Sequence, residues 1–273
     1  MDAFVLGGGG QLGASEVGML RALLEHDIVP ELVVGTSVGA INGAAVASDP
    51  TLPNIKRLAE TWSDIERSDV FSGSLLGRLA TLARTGTHLH GNEALRANLT
   101  EALPIPLIED LPVRFECVAA SIESAAEHWF TTGPIVDAVL ASSAVPGILP
   151  PVKVGDEHFI DGGIVNSIPV NRAVELGATR IFVMHVGRLD RPLEPPRRPW
   201  EVALVAFEVA RRHRFLGDLA SLPEGLDVHV LPTGQPEPPA YKDLSALRYR
   251  VAPDVRESID RAHAAAAAYL EAL

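Results

Sequence analysis

Residues 35–39 read Gly35-Thr36-Ser37-Val38-Gly39, directly behind the apolar run Leu32-Val33-Val34 and ahead of Ala40-Ile41-Asn42-Gly43-Ala44-Ala45. A short buried strand, a serine between glycines and a small-residue helix start predict a sharp strand-to-helix turn with the serine at its tip. Gly35 and Gly39 permit the close backbone approach that side chains would block. Amides at the start of the following helix favour negative charge developing beside the serine. Ser37 is therefore the candidate nucleophile for acyl transfer.

The flanking pattern extends this turn into an α/β fold. Ala3–Leu6 reads as a buried strand ended by Gly7-Gly8-Gly9-Gly10, and Val17, Leu20, Leu23 and Leu24 then recur at helical spacing from about Ala14 to His26. Strand, helix, strand, helix predicts a mainly parallel sheet sandwiched between helices. A helical insertion over one sheet edge is expected at about 53–103. Further on, the pattern predicts a strand pair at Val113–Ala120 and Glu127–Thr131, and a small hairpin at Val152–Val154 and His158–Ile160. Helix Val170–Leu176, strand Arg180–Val186, a Pro-rich loop at Leu189–Pro199 and helix Trp200–Gly217 should follow. Strand Asp227–Leu231, a loop at Gln235–Ala240 and an Ala-rich closing helix Val255–Leu273 complete a mainly helical C-terminal part at about 200–273. At 273 residues, with no repeat and no linker, the chain reads as a single domain.

Composition narrows the partners. A formal net charge of -12 argues against holding nucleic acid by phosphate neutralisation. The lone Cys117 cannot form an internal disulfide, and Met1–Leu6 lacks the basic start of a signal peptide. No apolar run approaches the roughly 18 residues of a membrane span. The expected location is the cytoplasm.

Two more segments carry chemistry. Gly8-Gly9-Gly10-Gln11-Leu12-Gly13 satisfies G-x-G-x-x-G, but dinucleotide binding needs an acidic residue ending the second strand, which here ends in Gly35-Thr36-Ser37. The same glycine loop, at a helix start, can cradle an oxyanion with free amides. Phe159-Ile160-Asp161-Gly162-Gly163 places an acid at a strand end, where it can cap a turn or serve as general base for a serine. Spacing alone does not bring Asp161 to Ser37.

Four segments taken together are specific: Leu6–Ala14, Gly35–Asn42, Ala141-Ser142-Ser143-Ala144-Val145-Pro146-Gly147-Ile148-Leu149-Pro150-Pro151, and Asp161-Gly162-Gly163-Ile164-Val165-Asn166-Ser167-Ile168-Pro169-Val170. In this order they resemble a bacterial patatin-like acyl hydrolase, the patatin-like phospholipase family, over about residues 3–186. The resemblance implies a Ser-Asp dyad without a catalytic histidine. Ser37 would attack a lipid or acyl-ester carbonyl, and Asp161 would take its proton and later activate water. The amides of Gly8, Gly9 and Gly10, foremost the last two, would hold the oxyanion. It implies no cofactor and no metal, and transient contact with the membrane surface where acyl substrates reside; the oligomeric state stays open. Leu12 departs from the family's usual Arg or Lys, which points away from phosphate contacts and toward neutral esters.

Two rivals stand beside this reading. One is a Ser37–Asp161–His185 triad, with His185 otherwise a sheet-end residue. The other is a non-catalytic lipid-binding or regulatory member of the same fold, which Leu12 favours. His88 and His90 lack the partners of a metal shell. Ser142 and Ser143 read as turn or pocket-wall residues, Asn171 and Arg172 as surface or capping groups, and Cys117 as an inert core thiol. Leu75–Leu82 and Leu204–Phe215 are candidate covering elements.

Overall fold

An unbroken apolar run in a strand is satisfied only when helices cover both faces of its sheet. In the computed structural model of the chain, the run Ala3–Leu6 of β1 (Asp2–Leu6) shows this directly: Phe4 and Leu6 enter one core, while Ala3 and Val5 enter another. The structure describes residues 1–67, 88, 90–185, 192–234 and 255–273. The expected covering stretch Leu75–Leu82, the loop Gln235–Ala240 and part of the loop Leu189–Pro199 lie outside them.

The next elements are α1 (Ala14–Glu25), β2 (Leu32–Thr36), α2 (Val38–Ser48), α3 (Leu52–Arg67) and α4 (Glu93–Ala102). They are followed by β3 (Arg114–Ser121), β4 (Ala126–Phe130), α5 (Ile135–Ser142), β5 (Val152–Val154), β6 (Glu157–Asp161), α6 (Val170–Glu175) and β7 (Arg180–Met184). The C-terminal part comprises α7 (Pro199–Ala220), β8 (Asp227–Val230) and α8 (Val255–Glu271). These described strands form one sheet in the order β5-β6-β3-β2-β1-β7-β8, with β4 also paired to β3. Neighbours among β3, β2, β1, β7 and β8 run parallel, whereas β4, β5 and β6 pair antiparallel. The sheet is thus mixed around a parallel centre.

One face packs against α1, α2, α3, α5 and α8 around Phe4, Val33, Phe115 and Phe182. The other packs against α6 and α7 around Val5, Val34, Val183 and Phe215. Helix α3 does not overlie a sheet edge as expected. Ile55, Leu58 and Trp62 turn its apolar stripe into the first core, so it contacts α1, α2 and α8. Connections from β1 lead to the first face and those into β7 come from the second. Such a reversal opens a crevice at the carboxyl ends of the parallel strands, where α/β sheets bind ligands.

Arg172 is not the surface group expected. Its guanidinium donates to the buried Glu116 carboxylate on β3 at 2.8 Å and lies 5.0 Å from the Trp129 ring centroid on β4. Arg114 holds the other Glu116 oxygen at 2.8 Å. Asn171 likewise turns inward, accepting from Asn166 at 3.1 Å. A buried carboxylate needs both cations because desolvation is otherwise uncompensated. Arg172→Ala is expected to cost about 2–3 kcal/mol, a fall of roughly 5 °C in the thermal midpoint. Differential scanning fluorimetry of the variant beside wild type checks this.

Candidate active site

The residue that ends β2 and the residue that ends β6 meet because both strands read their register from β3. Thr36 lies opposite Val118 and Asp161 opposite Ala119, the next residue along. Ser37, one step past Thr36, therefore arrives beside Asp161 although 124 positions separate them in sequence.

At Ser37 the backbone takes φ 55° and ψ -122°, a conformation costly for a side-chain-bearing residue. The turn can be this tight because a Cβ on Gly39 would lie 2.3 Å from the Leu6 carbonyl oxygen, and one on Gly35 would lie 2.5 Å from that of Gly39. Strain of this kind persists only where surroundings over-determine it. Here the Ser37 amide donates to Ser142 Oγ at 2.9 Å, and Ser142 Oγ donates to the Val118 carbonyl at 2.7 Å. Ser143 Oγ donates to the Ser37 carbonyl at 3.1 Å. The neighbouring Ala144 carbonyl accepts the Asp161 amide at 3.0 Å. Residues 142–144, expected only as a turn or wall, hold both candidate residues at once. The signal in the sequence was their place among the four matching segments, which carried no role by itself.

Ser37 Oγ donates to Asp161 Oδ2 at 2.6 Å, and Asp161 Oδ1 accepts the Gly163 amide at 2.8 Å. Burial pushes the Asp161 carboxyl up to about 6, against the lowering effect of those two hydrogen bonds. A carboxylate so placed is a stronger base than one in water. Ser37 reaches Asp161 directly, with no histidine between them; His185 lies just past β7 with its ring 6.3 Å from that of Phe215.

The glycine loop completes the crevice. A Cβ on Gly8 would lie 3.4 Å from Ser37 Cβ, so the loop runs alongside the serine. The Gly8 amide is committed to the Ser167 carbonyl at 2.8 Å, and that of Gly7 to Met184 at 2.8 Å. Gly9 and Gly10 are half-buried, and their amides have no acceptor among the described residues. Thr36 Oγ1 donates to the Asn166 carbonyl at 2.9 Å, tying the loop after Asp161 to the elbow. Among the described residues no group of three or more His, Cys, Asp or Glu side chains could hold a metal ion. Cys117 is buried, and burial raises its thiol far above the ordinary value.

The model of the patatin-like phospholipase family matches residues 4–174, and the chain belongs to that family. It is 32% identical over 190 residues to patatin-like phospholipase domain-containing protein ZK370.4 of Caenorhabditis elegans, covering 68% of this chain and 14% of that protein. To lysophospholipase NTE1 of Eremothecium gossypii it is 30% identical over 190 residues, covering 68% of this chain and 12% of that protein. The chain thus spans about an eighth of these relatives' length. The crystal structure of VipD from Legionella pneumophila superposes with a TM-score of 0.51 at 13% identity, covering 99% of this chain and 67% of that one, which shows the shared fold.

Two outcomes follow from this geometry. Ser142→Ala leaves the Ser37 amide and the Val118 carbonyl unpaired, at about 1–3 kcal/mol, and loosens the elbow. Its reaction with a fluorophosphonate at Ser37 is expected to slow about tenfold while the protein stays folded by circular dichroism. For Asp161, both states are protonated below pH 3.8. Between 3.8 and about 6 the unfolded chain releases a proton that the folded chain keeps, so stability is lost across that window. Asp161→Asn removes the loss, on the order of 3 kcal/mol. Its thermal midpoint should exceed wild type by several degrees at pH 8 and match it near pH 4.

Proposed function

We propose that the chain is a serine acyl hydrolase that cleaves carboxylic esters of lipids through Ser37 and Asp161. The observation that carries this is the direct 2.6 Å hydrogen bond from Ser37 Oγ to a buried carboxylate at a strained elbow. Ser37 Oγ attacks the ester carbonyl as its proton passes to Asp161 Oδ2. The amides of Gly9 and Gly10 receive the tetrahedral oxyanion, and Gly8 fixes the loop that presents them. The carbon–oxygen bond then breaks, and the leaving alcohol takes the proton from Asp161. Water next attacks the acyl-serine, gives its proton to Asp161, and the acid departs as the Ser37 hydroxyl re-forms.

The name lysophospholipase on one relative fits an ester of this class. Transient contact with a lipid surface agrees with Val202, Val209 and Leu216, each more than half exposed and spaced seven apart on α7. No helix among the described residues is long and apolar enough to cross a membrane. Leu12, beside the oxyanion loop, offers no cation to a phosphate, so a neutral acyl ester should turn over at least as fast as matched phosphatidylcholine; a strong phospholipid preference overturns that specificity. Leu12 also motivates the second reading, a non-catalytic lipid-binding relative.

Fluorophosphonate labelling read by intact mass and peptide mapping separates the two. One adduct on Ser37 in wild type, absent in Ser37→Ala and at least 100-fold slower in Asp161→Asn, is expected. A folded wild type that takes no label favours the non-catalytic reading.

A further inference from the structure

Glu16 is a carboxyl buried where the reaction has no direct use for it. It sits in the first turn of α1, fully enclosed, immediately behind the glycine loop. Its Oε2 accepts from Asn42 Nδ2 at 2.7 Å, and Oε1 has no partner among the described residues. Among the described residues no charged side chain is set against it. Helix α2 carries no ionisable residue. The groups on α1 and α8 pair outside the core, Arg21 with Glu25 and Asp260, and His263 with Glu25. On α3, Lys56, Arg57, Glu60 and Asp64 are exposed, with Arg57 on Asp49.

Asn42 connects this acid to both halves of the site. Its Nδ2 also donates to the Gly13 carbonyl at 3.0 Å, where the glycine loop ends, and its Oδ1 accepts from Trp62 Nε1 at 2.9 Å. A carbonyl only accepts and an indole N–H only donates, so the Asn42 amide has one orientation. Asn42 itself lies five residues past Ser37 on the elbow helix.

We propose that Glu16 is a positioning residue that, through Asn42, clamps the end of the oxyanion loop to the nucleophile helix. The inference rests on the acyl-hydrolase reading above. Glu16 performs this role as the neutral acid: burial raises its carboxyl well above the ordinary value, outweighing the lowering by the Asn42 hydrogen bond and the nearby Gly7 backbone. The helix N-terminus favours a carboxylate, but by less than burial of an uncompensated charge costs. Ionised, Glu16 would place a negative charge behind the amides meant for the oxyanion and pull Asn42 away from Gly13. The folded chain keeps a proton that the unfolded chain loses, so this acid lowers stability as pH rises above 4.5. A neutral isostere removes that cost and keeps the clamp.

The test compares wild type, Glu16→Gln and Glu16→Leu in full-length protein, with Ser37→Ala as the label-free control. Readouts are the second-order rate of fluorophosphonate labelling from pH 5 to 10, ester hydrolysis resolved into kcat and KM, and the NMR resonance of the Trp62 indole N–H. Wild type is expected to lose labelling rate at alkaline pH while that resonance shifts. Glu16→Gln should keep neutral-pH labelling within about twofold, with the alkaline loss and the shift abolished. Glu16→Leu should lower kcat about tenfold with KM unchanged, at a thermal midpoint no lower than wild type. Equal kcat in Glu16→Leu and wild type, or an alkaline loss that persists in Glu16→Gln, overturns the positioning role while leaving the Ser37 reading intact. A folded wild type that never labels overturns both.

Discussion

The shared register of β3 is the constraint on which the site depends. This one strand pairs in parallel with β2 up to Val118 and in antiparallel fashion with β6 from Ala119 onward. The end of a βαβ unit and the end of a hairpin are thereby delivered to adjacent positions. A slip of one residue in either pairing would turn the alternating side chains to the opposite face of the sheet, separating Ser37 from Asp161 and exposing the core faces. Packing on both faces resists that slip, because β2, like its neighbours β1 and β7, feeds two hydrophobic cores. Site geometry and core stability are therefore the same requirement.

The elbow stores unfavourable backbone energy, and the buried acid adds more. The structure answers both with hydrogen bonds from one segment. Ser142, Ser143 and Ala144 engage the Ser37 amide, the Ser37 carbonyl and the Asp161 amide. Each bond contributes little alone, yet removing a partner from a buried group costs its full desolvation. The loop after Asp161 adds further ties to Thr36 and Gly8. Such a site is tied in place by buried hydrogen bonds, which is what the proposed stabilisation of an oxyanion needs.

Much of this was legible in the sequence. The elbow, the glycine loop and the parallel centre announced themselves through local signals: apolar runs, glycine placement and helical spacing. Strand and helix ends shifted by only a few residues, as with α7, which begins one residue earlier and runs three beyond the expected end. The approach of Asp161 to Ser37 was not derivable from spacing, because strand order and register are long-range properties. It came from family resemblance. Ser142 and Ser143 escaped because a hydroxyl in a turn gives no local sign of the backbone it will grip. Arg172 looked like a surface residue for the same reason: its partner Glu116 lies 56 positions away. Glu16 gave no signal, because an acid in the first turn of a helix is ordinary there.

The account turns on a serine whose proton is taken by a buried carboxylate with no histidine between them. The most direct measurement is the pH dependence of Ser37 acylation in a single turnover, in wild type and His185→Ala. The account predicts a rate that rises through about pH 6, where Asp161 ionises, with the same midpoint in both proteins. A midpoint that moves or vanishes in His185→Ala would contradict it.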